Sequence, residues 1–343
     1  MTVVTSAPPV LSRAREVVQP AMMAAVDQLS PGLRQTAAYH LGWYDEAGTP
    51  TPDGGGKGVR PALAVLSAEA AGADASVGAP GAVAVELAHN FSLLHDDVID
   101  GDRERRHRPT VWALHGVGRA IIVGDALFAL AHQTLQAPHV GASPAARMAA
   151  SAELTDAVAA MIAGQADDMA FEDRPTITVD ECMGMVAGKT GALLSCAACI
   201  GAVLADAPGA LVDALRSYGA NLGVAFQAVD DLLGIWGDPG RTGKPRGADI
   251  AARKKSLPIV FALAAGRPAA EELRGILTAE VIDDAAVARG GELVEECGGR
   301  TATVHLARRH LDAALAALDV AEAEPRARAE LIELAQFIIE REY

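Results

Sequence analysis

Two acidic stretches carry most of the chemical potential of this chain, Asp96-Asp97 with Asp100 in HDDVID and Asp230-Asp231 in AVDDLLG. Each closes a long stretch of helical, mainly apolar character. Carboxylates beside a packed apolar face lose hydration energy unless they are paired or hold a metal. Asp96 and Asp100 are four residues apart, so on a helix their carboxylates share a face and can hold ions between them. Magnesium takes a few carboxylate oxygens and completes its shell with water and phosphate oxygens. Two facing acidic helix ends therefore suit metal plus a phosphate ester rather than a closed protein cage. Of the other doublets, Asp167-Asp168 has no assigned role, and Asp283-Asp284 in EVIDDAAVARG reads as a helix cap or solvated face.

Cations are placed to match. Arg105 and Arg106 follow Asp100 within a turn or two, and GGGKGVRP (54–61) puts Lys57 and Arg60 on a Gly-rich loop entering a helix. Backbone N–H groups at such a helix start also meet anions. Lys189 in GKT (188–190) and Lys244 in GRTGKPRGAD (240–249) add two more, and Arg253, Lys254 and Lys255 form a further basic cluster. Together they supply cations for more than one diphosphate. GMVAGKT (184–190) imitates a phosphate-binding loop, but the position of its first glycine is held by Met183, and no good strand precedes it. His89 and His95 are six apart and point to different sides of a helix, which disfavours a His-Asp metal phosphohydrolase. Cys196 and Cys199 form a CxxC with no second pair and no histidine pair nearby, so buried free thiols in a reducing cytoplasm are the reading, not zinc.

The elements that must hold these residues are helical. Half of the 343 residues are hydrophobic but only 4% are aromatic, so the core is built from Ala, Leu and Val, which suit close helix packing. A net charge of −15 argues against a nucleic-acid surface, which needs a basic footprint. Residues 1–11 read as a disordered lead and 12–343 as a single all-α domain, with breaks near Ser30–Gly32, 43–58, Gly72–Gly81, Gly101–Pro109, Pro138–Pro144, Asp173–Thr178, Ala205–Gly209 and Gly237–Gly247. Only Ile177-Thr178-Val179 reads as a strand. The uncharged run 191–205 spans 15 residues, short of the roughly 20 needed to cross a bilayer, and no signal peptide is evident. VELAHNFSLLHDDVID and ANLGVAFQAVDDLLG echo one another, each ending in an Asp pair and a turn. The expected architecture is a large helical bundle with a central cavity between the two Asp-rich helix ends.

Taken in order and spacing, GGKGVRP, ELAHNFSLLHDDVIDGDRERRHRPTVW, GQADD, GKTGALLS, FQAVDDLLGIWGD and GKPRGADI resemble the trans-prenyltransferases, the isoprenyl diphosphate synthase family, from about Val10 to the C-terminus. In detail the chain is most similar to actinobacterial geranylgeranyl diphosphate synthase-like proteins. The resemblance implies that Lys57, Arg60, His89 and Arg106 bind isopentenyl diphosphate. It implies that Asp96, Asp100 and Asp230 hold three magnesium ions on an allylic diphosphate, with Asp97 and Asp231 supporting them. Arg105, Lys189 and Lys244 would neutralise the same group, and Thr190 and Gln227 would face the reacting carbons. The allylic C–O bond breaks to a carbocation and diphosphate, so fixed cations aimed at the leaving group lower the barrier. The family also implies a homodimer.

The chain departs from the family in its second acidic motif, normally Asp-Asp-x-x-Asp, where the fifth position here is Gly234. Weakened magnesium binding is the expectation there. Phe91 and Ser92, five and four residues before Asp96, stand where the family forms the floor of its product tube, and the pattern implies a C20 product. Two other readings share the fold: a non-catalytic assembly partner or cargo protein, favoured by Gly234, and a class I terpene cyclase, which would leave the Lys57, Arg60, His89 and Arg106 clamp without a use.

Overall fold

The structure, a computed structural model, describes residues 7–51, 56, 58–242, 245–319 and 322–340; Lys57 and Lys244 lie outside them. It is 77% helical, as the all-α expectation requires. Helices α1 (Pro9–Val26) and α2 (Pro31–His40) each begin at a proline, where the missing N–H has no helical partner to lose. Helix α1 starts inside the stretch 1–11 expected to be disordered. The reason is the stripe Val10, Ala14, Val18 and Met22, spaced by four and buried in the core.

Helix α3 (Val59–Ala70) is followed by α4 (Ala75–Ile99), which carries the first acidic motif. The break expected over Gly72–Gly81 is confined to the residues before Ala75, because Asp74 caps α4 by accepting from Ser76 N at 2.9 Å. The helix then continues through Gly78, Pro80 and Gly81. Packing overrides local propensity here: a methyl group at Gly78 would sit 2.7 Å from Ala64 O, and one at Gly81 2.9 Å from Ile200 Cγ2.

Strands β1 (Glu104–Arg105) and β2 (Arg108–Pro109) form an antiparallel hairpin. Helices α5 (Val111–His115), α6 (Val117–Gln136) and α7 (Pro144–Glu172) follow. The strand expected at 177–179 does not form. Thr178 instead caps α8 (Val179–Val186) in a reciprocal capping box with Glu181. Helix α8 runs through a π-helical turn, Ala187–Gly191, into α9 (Ala192–Leu204). This continuous helix of 26 residues is, among the described residues, the one long and apolar enough to cross a membrane. The uncharged run 191–205 covers only the second half of this helix, which reaches back to Val179. Its apolarity answers to burial: 61% of its apolar window is buried within the protein, and α9 packs against α3, α4, α7 and the next helix, α10 (Gly209–Trp236).

Two short helices, α11 (Pro239–Thr242) and α12 (Ala248–Ala251), lead to α13 (Leu257–Ala264), α14 (Pro268–Thr278), α15 (Asp284–Glu296), α16 (Gly299–Asp319) and α17 (Pro325–Glu340). As expected, Asp283 is a helix cap, accepting from Ala286 N at 2.8 Å. The main apolar core spans α1 to α10 with α13, α16 and α17. A smaller one, built from Ile235, Ile250, Ile259, Leu273, Leu293 and Val294, closes the end of α10 under α12 to α15.

Close helix contact is bought with small residues. At Gly201 on α9 a methyl group would meet Ser67 Oγ at 2.6 Å and Ala68 N at 2.8 Å on α3. Gly201→Ala should therefore lower stability by about 1–3 kcal/mol, the usual cost of overpacking, read as a lower urea midpoint at unchanged slope.

Candidate functional site

The last turns of α4 sort their side chains by face, since successive residues step about 100° around a helix. Asp96 and Asp100 lie on one face, with His89 two turns earlier. Asp97, Asn90 and Glu86 lie on the next face, towards the hairpin. Phe91 and His95 point to α6, where Phe91 packs edge-on against His95 (ring centroids 5.5 Å) and tilted against Phe128 (5.1 Å). His95 Nε2 is 3.2 Å from Ile121 O, so His95 turns away from the acids, against the His-Asp metal alternative. Ser92 Oγ donates to His89 O of its own helix at 2.8 Å.

At the first acidic end, Asp96 is half-buried, Asp97 buried and Asp100 exposed. Burial pushes the Asp96 carboxyl up to about 6, with Asp100 and Asp97 adding to the rise and Lys189 and Arg105 opposing it. Asp97 Oδ1 accepts from Arg105 Nε at 2.6 Å, while its Oδ2 is buried without a partner. The hairpin that delivers Arg105 turns on two residues, Arg106 and His107, both with left-handed backbone (φ 53° and 59°). A two-residue turn of this kind matches the strand twist but strains residues that are not glycine, a cost tolerated at functional sites. It is pinned by Tyr39 Oη donating to Pro109 O at 2.7 Å, and by Thr110 Oγ1 and Trp112 Nε1 both donating to Asp102 O.

A second cluster surrounds the start of α3. Arg60 Nη1 lies 3.3 Å from His89 Nε2, and Arg106 lies against Gly56, where a methyl group would come within 2.9 Å of its Nη2. Glu86 and Asn90 join them, with Asn90 Nδ2 donating to Glu86 Oε1 at 3.1 Å. Burial, then the charges of Arg60 and Arg106, hold His89 well below the usual imidazole range. Burial and the nearby arginines Arg105 and Arg106 likewise hold His40 at about 3. Both rings are neutral at physiological pH in a positive field, the field an anionic ligand would meet. Arg60 Nε and His40 Nε2 are buried without partners.

The third part is the π-helical turn, pressed between α7 and α10. A methyl group at Gly188 would sit 2.9 Å from Ala160 O, and one at Gly223 2.6 Å from Gly191 Cα. The turn aims Lys189 at Asp168 on α7, with which it forms an ion pair; Asp96 and Asp100 feel the same ammonium. It also directs Thr190 Oγ1 to donate to Gln227 Oε1 at 2.7 Å. Gln227 Nε2 donates in turn to Asp231 Oδ1 at 2.8 Å, and Asp231 Oδ2 accepts from Leu257 N at 2.8 Å. Asp231 is buried, which pushes its carboxyl up to about 7. Asp230, one residue before it, is exposed.

The structure therefore gathers Asp96, Asp100, Arg105 and Lys189 at one end, Arg60, His89 and Arg106 beside the loop, and Thr190, Gln227 and Asp231 in one hydrogen-bonded chain. Lys57 and Lys244 are outside the described residues. Sequence reasoning missed Glu86, Asp168, Lys254 and Asp249. Lys254 is half-buried; burial opposes its charge, but Asp231, Asp249, Asp168 and Asp230 outweigh this and raise its pKa. Its only signal was membership of a basic run, and that of Asp168 an aspartate doublet with no partner in view.

Among the described residues no group of three His, Cys, Asp or Glu side chains stands ready to hold a metal alone. The carboxylates are spread over two helices, Asp96 and Asp100 on α4 and Asp230 on α10, linked by the field of Lys254. That donor set fits magnesium, which would draw its remaining oxygens from phosphate and water; it does not fit a closed protein cage.

An all-α bundle with acidic helix ends and flanking cations defines a diphosphate-handling helical enzyme. The polyprenyl synthetase family profile matches residues 42–296, and the chain belongs to that family. It is a trans-prenyltransferase, and the family uses isopentenyl diphosphate, an allylic diphosphate and a divalent metal. It is similar to a crystal structure of polyprenyl synthetase from Streptomyces coelicolor A3(2), 51% identical with a TM-score of 0.90 over 96% of this chain and 98% of that one. A (2E,6E)-farnesyl diphosphate synthase of Mycobacterium tuberculosis is 45% identical, covering 97% of this chain and 93% of its own. A geranylgeranyl diphosphate synthase of the same organism is 42% identical, with the same coverage of both.

Two of the raised carboxyls, Asp96 and Asp231, set a pH dependence. Folded Asp96 (about 6) and Asp231 (about 7) keep protons that the unfolded chain releases near 3.8. The folded state binds more protons in between, so the stability of the metal-free protein should fall as pH rises from about 4 to about 7 and then level off. Asp231→Asn should shrink that fall in urea unfolding across the same range; an unchanged slope would contradict the assignment.

Proposed function

We propose that this chain is a magnesium-dependent elongating synthase that condenses isopentenyl diphosphate with an allylic diphosphate to give a C20 product, geranylgeranyl diphosphate. The observation that carries the reading is the pair of differently charged clusters around one helix. One is acidic with interleaved lysines, suited to a metal-bound diphosphate; the other is cationic with neutral imidazoles, suited to a diphosphate without metal. A cyclase has use for the first alone, and an assembly partner for neither.

In this reading Asp96, Asp100 and Asp230 hold the magnesium ions, three with substrate bound. When bound, these ions would neutralise the allylic diphosphate and help it depart as its C–O bond breaks. Lys189 and Arg105 hold the same group in place, together with Lys244. Arg60, His89 and Arg106, with Lys57, fix isopentenyl diphosphate so that its double bond meets the ionising carbon, which converts an encounter into a positioned reaction. Thr190 and Gln227, locked by Asp231, direct hydroxyl and amide dipoles towards the reacting carbons. In this reading the released proton goes to the departing diphosphate.

Product length rests on Phe91. Its ring is buried against Phe128 on α6, where in this reading it would close the product tube below the acids, with the small Ser92 beside it. We also read the chain as a homodimer, with the exposed apolar Leu114, Val117 and Ile122 of α5 and α6 as its contact surface, and as cytoplasmic, since its four cysteines are free thiols.

Purified protein with magnesium, isopentenyl diphosphate and farnesyl diphosphate should yield C20 diphosphate by mass. Accumulation of C15 from geranyl diphosphate with no further extension would assign the farnesyl activity instead; a hydrocarbon from the allylic substrate alone would mark a cyclase, and no turnover an assembly partner. Asp96→Ala should lower turnover by roughly 10²-fold or more, the scale of losing one element of leaving-group stabilisation; retained turnover would remove Asp96 from the metal site. Phe91→Ala should lengthen the product, and an unchanged product spectrum would remove Phe91 from the floor.

A further inference from the structure

Helix α2 ends on Tyr39 and His40, against the hairpin that carries Arg105 and Arg106. Tyr39 has an evident task. Its hydroxyl donates to Pro109 O at 2.7 Å, and the Arg108 guanidinium lies over its ring, 4.4 Å from the centroid. His40 has no such task. Its Nε2 is buried without a hydrogen-bond partner, although Arg105, Arg106 and Arg108 all bring their charge to the ring and Asn90 lies within hydrogen-bonding reach of it.

A second unpartnered atom belongs to the same space. Asp97 is 1% exposed; its Oδ1 accepts from Arg105 Nε, while its Oδ2 is buried without a partner. His40 and Asp97, with Asn90, Arg105, Arg106 and Arg108, line one recess of about 240 Å³ between α2, α4 and the hairpin. A buried carboxylate oxygen left without a hydrogen bond is costly. A recess of this size admits several waters, each of roughly 30 Å³. Its walls select the occupant. Three guanidinia oppose a cation, and Asp97 Oδ2 needs a donor, which opposes a simple anion. Water suits both, donating to Oδ2 and pairing with a neutral imidazole in either tautomer. The ring is neutral, since burial and the arginines hold it at about 3, so it adds no charge to a cluster that must receive an anion.

We propose that His40 is a positioning residue for Arg105: through water held in this recess it completes the hydrogen bonding of Asp97, and a carboxylate fixed at both oxygens keeps the Arg105 guanidinium aimed at the leaving diphosphate. The hairpin needs such a hold, because its turn is left-handed at Arg106 and His107, neither of them glycine, and strain of that kind persists only where the surroundings enforce it. The inference rests on the reading of Arg105 as a holder of the allylic diphosphate.

Steady-state kinetics of purified variants test it, with circular dichroism to check helix content. His40→Phe fills the volume without a hydrogen bond, and the amide of His40→Asn reaches only as far as Nδ1. Both should lower kcat about tenfold and leave KM for isopentenyl diphosphate within about twofold, the pattern of an interaction made in the transition state. His40→Gln, whose amide ends where Nε2 does and can donate or accept, should stay within about threefold of wild type. Added to Asp97→Asn, His40→Asn should cost less than about twofold, because the carboxylate it serves is gone. If His40→Phe does not fold, the contrast of His40→Asn with His40→Gln decides alone. His40→Asn turning over like wild type, His40→Gln as impaired as His40→Asn, or losses that multiply with Asp97→Asn would overturn the proposal and leave the function intact. Wild type without turnover would overturn both.

Discussion

Carboxylates gathered in a partly desolvated cleft repel one another and lose hydration, and a protein that keeps several of them for a ligand must hold them apart until the ligand arrives. Here two lysines do that. Lys189 is tied to Asp168 and lies within the field of Asp96 and Asp100; Lys254 stands among Asp168, Asp230, Asp231 and Asp249. Compensation is incomplete, since Asp96 and Asp231 still hold their protons well above the usual carboxylate range. That residue of negative potential and desolvation is what divalent cations would relieve. The π-helical turn that aims Lys189 and the short helices that return the chain to Lys254 both answer to this one requirement.

Helix α4 shows how a single element can serve several tasks. One face carries Asp96 and Asp100, the next carries Glu86, Asn90 and Asp97 towards the arginines, and a third sends Phe91 and His95 into α6. A long unbroken helix keeps these faces in register, and the small residues Gly78 and Gly81 let it lie close to α3 and α9.

How much of this was legible in the sequence depends on the distance over which each contact acts. Asp96 and Asp100 are readable because their spacing of four is itself the geometry. Arg105 and Arg106 follow them closely enough that proximity along the chain implied proximity in space. Asp168, Lys254 and Asp249 were not assigned, since each meets the site through tertiary packing from a different helix. The π-helical turn was equally hidden, because its shape depends on glycines of the turn and of α10, Gly188, Gly191 and Gly223. Two local readings failed for a related reason. Thr178 has the side chain of a strand residue but is used as a cap, and Gly78 and Gly81 have the form of breakers but serve as contact points.

The smaller apolar core bears on more than packing. Asp96 and Asp100 are anchored in the main core, whereas Asp249 is carried by a segment rooted, through Ile250, in the second. A diphosphate held at both acidic ends, as proposed, would act as a staple between the two cores, adding to the cohesion of α12 to α15 in proportion to ligand occupancy. Helices α16 and α17 belong to the main core, so the part that such a ligand would tie down is the cap of α12 to α15 built on the smaller one.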